Sequence, residues 1–360
     1  MKHYFIAFSL LFAANICQSQ SVKDLGLKAP FVNNCTPIKD QAMSGTCWSF
    51  ASLSFLESEF LKNTGNQIDL SEMFIARYSY VRKIEKHLQQ KGETYFTPGG
   101  QFHDVIWVLN NYGIVPESKY TGKVNGEFWH NHANLDTAFA HYVNELLNKH
   151  IYTLTKVEYS FIDSLLDKHL GKLPSQFEFE EKTYRPKQFL TDYLKLNTND
   201  FIELTSYTHH PFYTKFILED KFNWTSDAYY NVPIADFFSI TNNALQNGYT
   251  LGWNGDVDDS TFIYEKGLAY LPTSISNYQM ERQRTFADTT TDIDHLMHIV
   301  AITKDKNGKD WYYLKNSWGN YSNNLKGFLF MSKDYFAIKT SAIIINKNNL
   351  ALSIRKKLKL

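Results

Sequence analysis

The sequence predicts an α+β protein of two lobes that meet at a cleft. Three observations predict it: apolar residues spaced three and four apart through the first third, β-branched and aromatic runs through the last third, and turn residues at the joins. The 360 residues are 43% hydrophobic and 16% aromatic, enough apolar surface to offset ordering entropy and exclude a disordered chain. Lys and Arg total 37, as do Asp and Glu, so no net field attracts a phosphate backbone and no nucleic-acid partner is expected.

Residues 1–20 read as a secretory signal. Lys2 and His3 precede an apolar run from Tyr4 to Ile16, and Cys17-Gln18-Ser19 puts small residues before a cleavage point near Ser19 or Gln20. The run is short of the ~20 residues that span a bilayer. A lipid anchor through Cys17 is a rival reading, opposed by the bulky Asn15-Ile16; an uncleaved membrane anchor is another. No later stretch is long and apolar enough for stable membrane insertion, so a periplasmic or secreted location is expected.

Residues 21–360 read as one domain. Phe50, Leu53, Leu56 and Phe60 form one face of a helix that begins at Cys47 and stops at Thr64-Gly65. Asp69 or Ser71 caps a second, carrying Phe74, Tyr78, Val81 and Leu88 and closed by Gly92. After the Pro98-Gly99-Gly100 turn, Val105, Val108, Leu109 and Tyr112 mark a third, ended by Gly113. A helical insertion follows over about 120–200, with faces Ala138-Tyr142-Leu146-Leu147 and Phe161-Leu165-Leu166. A β lobe over about 290–346 takes in Ile299–Thr303, Trp311–Lys315, Gly327–Ser332 and Ala342–Asn346, the first two joined through Asn307-Gly308 as an antiparallel hairpin.

Three cysteines are too few for a disulfide scaffold. Loss of the signal leaves Cys35 and Cys47, either as one disulfide or with one kept as a working thiol. The string Gln41-Ala42-Met43-Ser44-Gly45-Thr46-Cys47-Trp48 favours the thiol. A cysteine in the first turn of a helix faces unpaired N–H groups and the positive end of the dipole, which favour thiolate over thiol. Such a nucleophile needs a base and a group to orient the base. Asp294-His295 opens one predicted strand and Lys315-Asn316-Ser317-Trp318-Gly319 closes the next. Pairing of those strands makes His295 and Asn316 neighbours, with Trp318 covering their hydrogen bond from water.

These blocks, in this order, resemble the papain-like cysteine peptidases, and most nearly the bleomycin hydrolase and aminopeptidase C group. The gap between Cys47 and His295, roughly 250 positions, exceeds the ~130–150 of compact members. The stretch from Asn247-Gly248-Tyr249 to Gly255-Asp256-Val257, and the absence of an evident propeptide before Pro30, point to the same group. The resemblance implies a two-lobed papain-like fold and hydrolysis of peptide substrates through a thioester. It implies Cys47 as nucleophile, His295 as general base and acid, Asn316 as its orienter, and Gln41 as an oxyanion donor. No cofactor or metal is implied. Ser44 stands where many relatives carry a disulfide cysteine, which favours the intracellular-type branch, and Cys35 reads as structural. The basic end Arg355-Lys356-Lys357-Leu358-Lys359-Leu360 differs from the arm that restricts that group to N-terminal residues, so aminopeptidase restriction and a homo-oligomeric ring are open.

Weaker signals have plainer readings. His298 reads as a core histidine, because i and i+3 on a strand face opposite ways. His130, His132, His209 and His210 read as packing or solvated groups, since no carboxylate or cysteine completes a ligand set at usual spacing. Asp256 with Asp258-Asp259 reads as a polar turn, and the terminal basic cluster as a frayed, solubilising tail. A non-catalytic papain-like binding protein, or acyl transfer to an amine in place of water, are the competing functions.

Overall fold

The computed structural model describes residues 21–32 and 35–360, so the predicted signal lies outside the described residues. Three helices open the domain: α1 (Cys47–Thr64), α2 (Glu72–Gln89) and α3 (Phe102–Tyr112). Their ends follow the predicted chemistry. Ser71 Oγ accepts from the Phe74 N–H at 3.1 Å and caps α2, and Gly65 takes a left-handed conformation to end α1. The expected single apolar face of α1 is corrected, because its residues from Cys47 to Phe60 are buried all round. The helix lies between the other helices and the sheet, and its polar side chains find partners inside, as when Glu57 accepts from Thr36 and Lys39.

The middle segment continues this helical core. In α4 (Ala133–Asn148) the buried stripe is Leu135, Phe139, Val143 and Leu146, and in α5 (Lys156–Leu170) it is Ile162, Leu166 and Leu170. Both stripes are rotated from the faces expected around Ala138 and Phe161, and Phe161 is exposed. A hairpin of β1 (Phe177–Phe179) and β2 (Lys182–Tyr184) interrupts the helices, turning through Glu180 and Glu181, both at positive φ. Two-residue hairpin turns of that kind usually carry Asn-Gly, so Glu-Glu gave no turn signal. A helical turn, α6 (Pro186–Gln188), runs into a π-helical turn over Phe189–Leu194.

The sheet starts near 201, well ahead of the range expected for it. It comprises β3 (Phe201–Thr205), β4 (Lys215–Ile217), β5 (Ala228–Asn231), β6 (Leu251–Gly255), β7 (Phe262–Ile263), β8 (Leu268–Ala269), β9 (His295–Lys304), β10 (Asp310–Lys315), β11 (Phe328–Ser332) and β12 (Thr340–Asn346). Their order is β4-β5-β3-β12-β6-β9-β10-β11-β8-β7, antiparallel except at β3/β5 and β8/β11. The other helices are α7 (Ile234–Gln246), α8 (Tyr278–Ala287), α9 (Lys333–Lys339) and α10 (Leu352–Leu358). The terminal basic segment is therefore not frayed: α10 buries Ile354 and Leu358 against the sheet core, and Lys357 reaches the Tyr213 hydroxyl at 3.0 Å. Among the described residues, no helix is long and apolar enough to cross a membrane.

The two largest hydrophobic clusters among the described residues form around Trp48, Phe55 and Phe74 and around Trp253, Met297 and Tyr312. Leu296 of β9 and Ile344 of β12 belong to the helical core, so the head of α1 lies against the opening of β9. The β9–β10 hairpin turns at Asp305, whose Oδ1 accepts from the Asn307 and Lys309 N–H groups at 2.8 and 3.0 Å. Its register pairs Lys315 with His298 and leaves Asn316 just beyond the ladder, beside the strand start that carries His295.

Candidate active site

Cys47 is the first residue of α1. The hydroxyl of the preceding Thr46 is engaged with Ser44 Oγ at 2.5 Å and does not cap the helix. Gly45 sits at φ +65°, and a Cβ there would come 2.9 Å from Pro98 Cβ, so only glycine fits the approach. Trp48 anchors the other side, its Nε1 donating to Pro98 O at 2.9 Å. The backbone N–H groups of Leu296 and Trp48 are directed at the sulfur. Cys35 and Cys47 are both free thiols, which removes the disulfide reading.

His295 and Asn316 meet as predicted, with Nε2 and Oδ1 2.7 Å apart. The Ser317 N–H also donates to Asn316 Oδ1, at 2.8 Å, which identifies that atom as the amide oxygen. An oxygen there can only accept, so His295 Nε2 carries the proton and Nδ1 is the basic nitrogen. Trp318 lies over the imidazole, ring centroids 4.8 Å apart, and Tyr264 packs edge-on to Trp318 at 4.7 Å.

Gln41 is brought to the same place by main-chain pairing. Its N–H donates to Ser317 O at 2.8 Å, the Gly319 N–H donates to Lys39 O at 3.1 Å, and Asp40 bridges Trp318. Lys39 is held by Glu57 of α1 and Glu72 of α2, at 2.9 and 2.6 Å. The Ser317 hydroxyl donates to Gln41 Oε1 at 2.6 Å, leaving the amide NH2 as the end available to another acceptor. Ser317 had no assigned role in the sequence reading, although it lies inside a block that reading singled out.

Burial sets the protonation states. It pushes the Cys47 thiol up to about 11, against the pull of the Leu296 and Trp48 N–H groups. It also holds His295 down to about 4, although the Asn316 hydrogen bond favours the charged ring. The pull toward thiolate expected of the helix start is thus opposed by burial, and the proton needs a base to take it. Asp294 is raised to about 7, first by burial and then by Asp256 and Asp258, while the N–H groups of Val257 and Asp258 hold it down.

The other singled-out residues fall elsewhere. His298 is buried and bonded to Ser54 Oγ at 2.8 Å. His130 and His132 flank the Met43 backbone, and burial lowers them to about 3 and 4. The ammonium of Lys339 sits between Asp256 and Asp259, at 2.7 and 2.8 Å, so a cation of the protein's own neutralises that turn. His209 and His210 do meet a carboxylate, Glu219, which sequence spacing had not suggested.

The sequence profile of the Peptidase C1-like family matches residues 17–359. Aminopeptidase G of Lactobacillus delbrueckii subsp. lactis is 23% identical over 357 residues, covering 87% of this chain and 81% of that protein. Aminopeptidase E of Lactobacillus helveticus is likewise 23% identical, over 368 residues, with the same coverage. The crystal structure of PepW from Lactobacillus rhamnosis HN001 superposes with a TM-score of 0.69 at 17% identity, covering 94% of this chain and 86% of that one, a likeness of fold.

Proposed function

The chain belongs to the Peptidase C1-like family, on its papain-like aminopeptidase C branch, and from that premise we propose that it is a cysteine aminopeptidase working through Cys47, His295, Asn316 and Gln41. The observation that carries the proposal is the doubly held Asn316 oxygen, which leaves His295 Nδ1 free to take a proton beside the head of α1.

In this reading Cys47 Sγ attacks the carbonyl carbon of the first peptide bond while its proton passes to His295 Nδ1. Burial disfavours each charged form alone, and the transfer makes two opposite charges together, whose attraction in a low dielectric offsets that penalty. The carbonyl oxygen gains negative charge and is held by the Gln41 side-chain NH2 and the Cys47 backbone N–H, each such donor contributing roughly 3–4 kcal/mol. Collapse breaks the C–N bond, and the Nδ1 proton leaves on the departing amine. Water, giving its proton to Nδ1, then hydrolyses the thioester. Throughout, Asn316 keeps the Nε2 proton and so fixes the ring plane.

The test is cleavage of matched peptides with free and acetylated N-termini, read by mass spectrometry, in native protein and in Cys47→Ala. Turnover of the free peptide alone, abolished in Cys47→Ala, is expected. Equal turnover of the acetylated peptide overturns the aminopeptidase reading, and hydrolysis by Cys47→Ala overturns the nucleophile. Export, supported by the run from Lys2 to Ser19, belongs to the same proposal and is tested by fractionation with N-terminal sequencing.

A further inference from the structure

The segment after β3 and the end of β4 gather a second set of reactive side chains. His209 and His210 are adjacent in the chain, and Glu219 follows β4 by two residues. One donor atom from each lies within 4.8 Å of the other two. His209 Nε2 is 3.1 Å from Glu219 Oε2, and His210 Nε2 is 3.0 Å from Glu219 Oε1. Ligands bound tetrahedrally to zinc at about 2.0–2.1 Å stand roughly 3.3 Å from one another, so the donors are already near ligand spacing.

Gln283 of α8 decides which nitrogen of His209 faces the carboxylate. Its Oε1 accepts from the backbone N–H groups of Thr208 and His209 at 2.6 and 3.2 Å, and is therefore the amide oxygen. His209 Nδ1 is 3.1 Å from the same oxygen and must donate to it. Nε2 is thereby the nitrogen turned toward the carboxylate, and a bound cation takes the place that a proton on Nε2 holds in the hydrogen bond to Glu219. A ring N–H fixed by a neighbouring oxygen is also how metal-binding histidines are oriented. Both rings are braced, His209 stacking on Phe286 at 5.6 Å and His210 on Phe216 at 4.1 Å.

We propose that His209 Nε2, His210 Nε2 and the Glu219 carboxylate bind one divalent transition-metal cation of the zinc class, with water completing its coordination. The side chains are 29%, 33% and 57% exposed, so the ion enters without unfolding of the domain. Once bound, it fastens the loop after β3 to the end of β4 and, through Gln283, to α8. The site is separate from Cys47 and does not depend on the peptidase reading.

The experiment uses full-length protein carrying Cys47→Ala, which removes a competing thiol, titrated calorimetrically with zinc chloride. One zinc per chain is expected. Glu219→Gln and His210→Ala should each weaken it at least about tenfold, and Gln283→Leu by about 10–100-fold through the lost orientation of His209. Cobalt(II) in place of zinc should give d–d bands without a thiolate charge-transfer band. No saturable binding, binding unchanged in Glu219→Gln and His210→Ala, or a thiolate band that moves the metal to Cys35 overturns the proposal. Circular dichroism of each variant checks the fold, and Glu219→Gln, a near-isosteric surface change, carries the test if His210→Ala misfolds.

Discussion

Replacing Ser317 with Ala asks whether Gln41 stabilises an oxyanion from a position held by its neighbour. The Ser317 hydroxyl donates to Gln41 Oε1 over 2.6 Å, in a site where Gln41 is only 8% exposed. Ala deletes the donor and leaves a buried carbonyl oxygen without it, a penalty of roughly 1–3 kcal/mol. That penalty applies to the one amide orientation that directs Nε2 away from Ser317, so rotated arrangements gain population at its expense. The kcat/KM for an amino-acid anilide should fall about 5- to 100-fold, below the ~10²–10³-fold cost of deleting the oxyanion donor outright. Alkylation of Cys47 by iodoacetamide passes through no oxyanion and should change less than about twofold, since the thiol and its base are untouched. The decisive measurement is the double variant Gln41→Ala/Ser317→Ala. If Ser317 acts through Gln41, that variant is no slower than Gln41→Ala alone, and the coupling energy equals the whole Ser317 effect. Multiplying effects, or unchanged hydrolysis in Ser317→Ala, would refute the reasoning.

Asp294→Asn should lower the pH at which iodoacetamide half-maximally alkylates Cys47, because ionised Asp294 is among the groups that raise the thiol; an unchanged or higher midpoint contradicts this. His130, His132 and His295 are buried and held down to about 3, 4 and 4. The unfolded chain therefore binds more protons as pH falls below about 6.5, and urea midpoints should drop from there to about 3 and level off for these groups below it. A midpoint flat over that window argues against neutral buried rings. Gly45→Ala puts a Cβ at φ +65° and 2.9 Å from Pro98, and should cost at least about 1–2 kcal/mol in urea unfolding; an unchanged midpoint would mean the turn relaxes freely.

The parts legible in the sequence are those whose signal is local. Ser71, Gly65 and Gly113 act within a turn of their own helix, and β9 and β10 carry enough β-branched and aromatic residues to read as strands. The buried stripes of α4 and α5 were misplaced because apolar residues lie on more than one side. Leu135-Phe139-Val143 and Ala138-Tyr142-Leu146 are both helical rows, and only packing decides that the first is buried together with Leu146 alone of the second. Strands such as β7 and β8, two residues each, are too short for a period-2 pattern. The contact of Ser317 with Gln41 spans 276 positions and depends on the Asp40–Trp318 bridge, and Glu219 reaches the histidine pair only through the return of β4. Tertiary contacts of this sort leave no spacing to read.

The thiol shows why residue identity and residue state are legible to different degrees. A helix N-terminus typically favours an anion by about 0.3–1 kcal/mol, less than one pKa unit. Burial carries Cys47 from 9.0 to about 11, a larger shift in the opposite direction. The helix start is legible in the sequence, but the burial that opposes it is not, because the β9 backbone and Trp48 come to the sulfur only in the folded chain. In the proposed mechanism the thiolate at neutral pH therefore depends on handing its proton to His295 Nδ1. Anything that takes the ring out of line, Asn316→Ala first of all, should slow alkylation and hydrolysis together, whereas Ser317→Ala should slow hydrolysis alone. That contrast separates a base that makes the nucleophile from a donor that stabilises what the nucleophile forms.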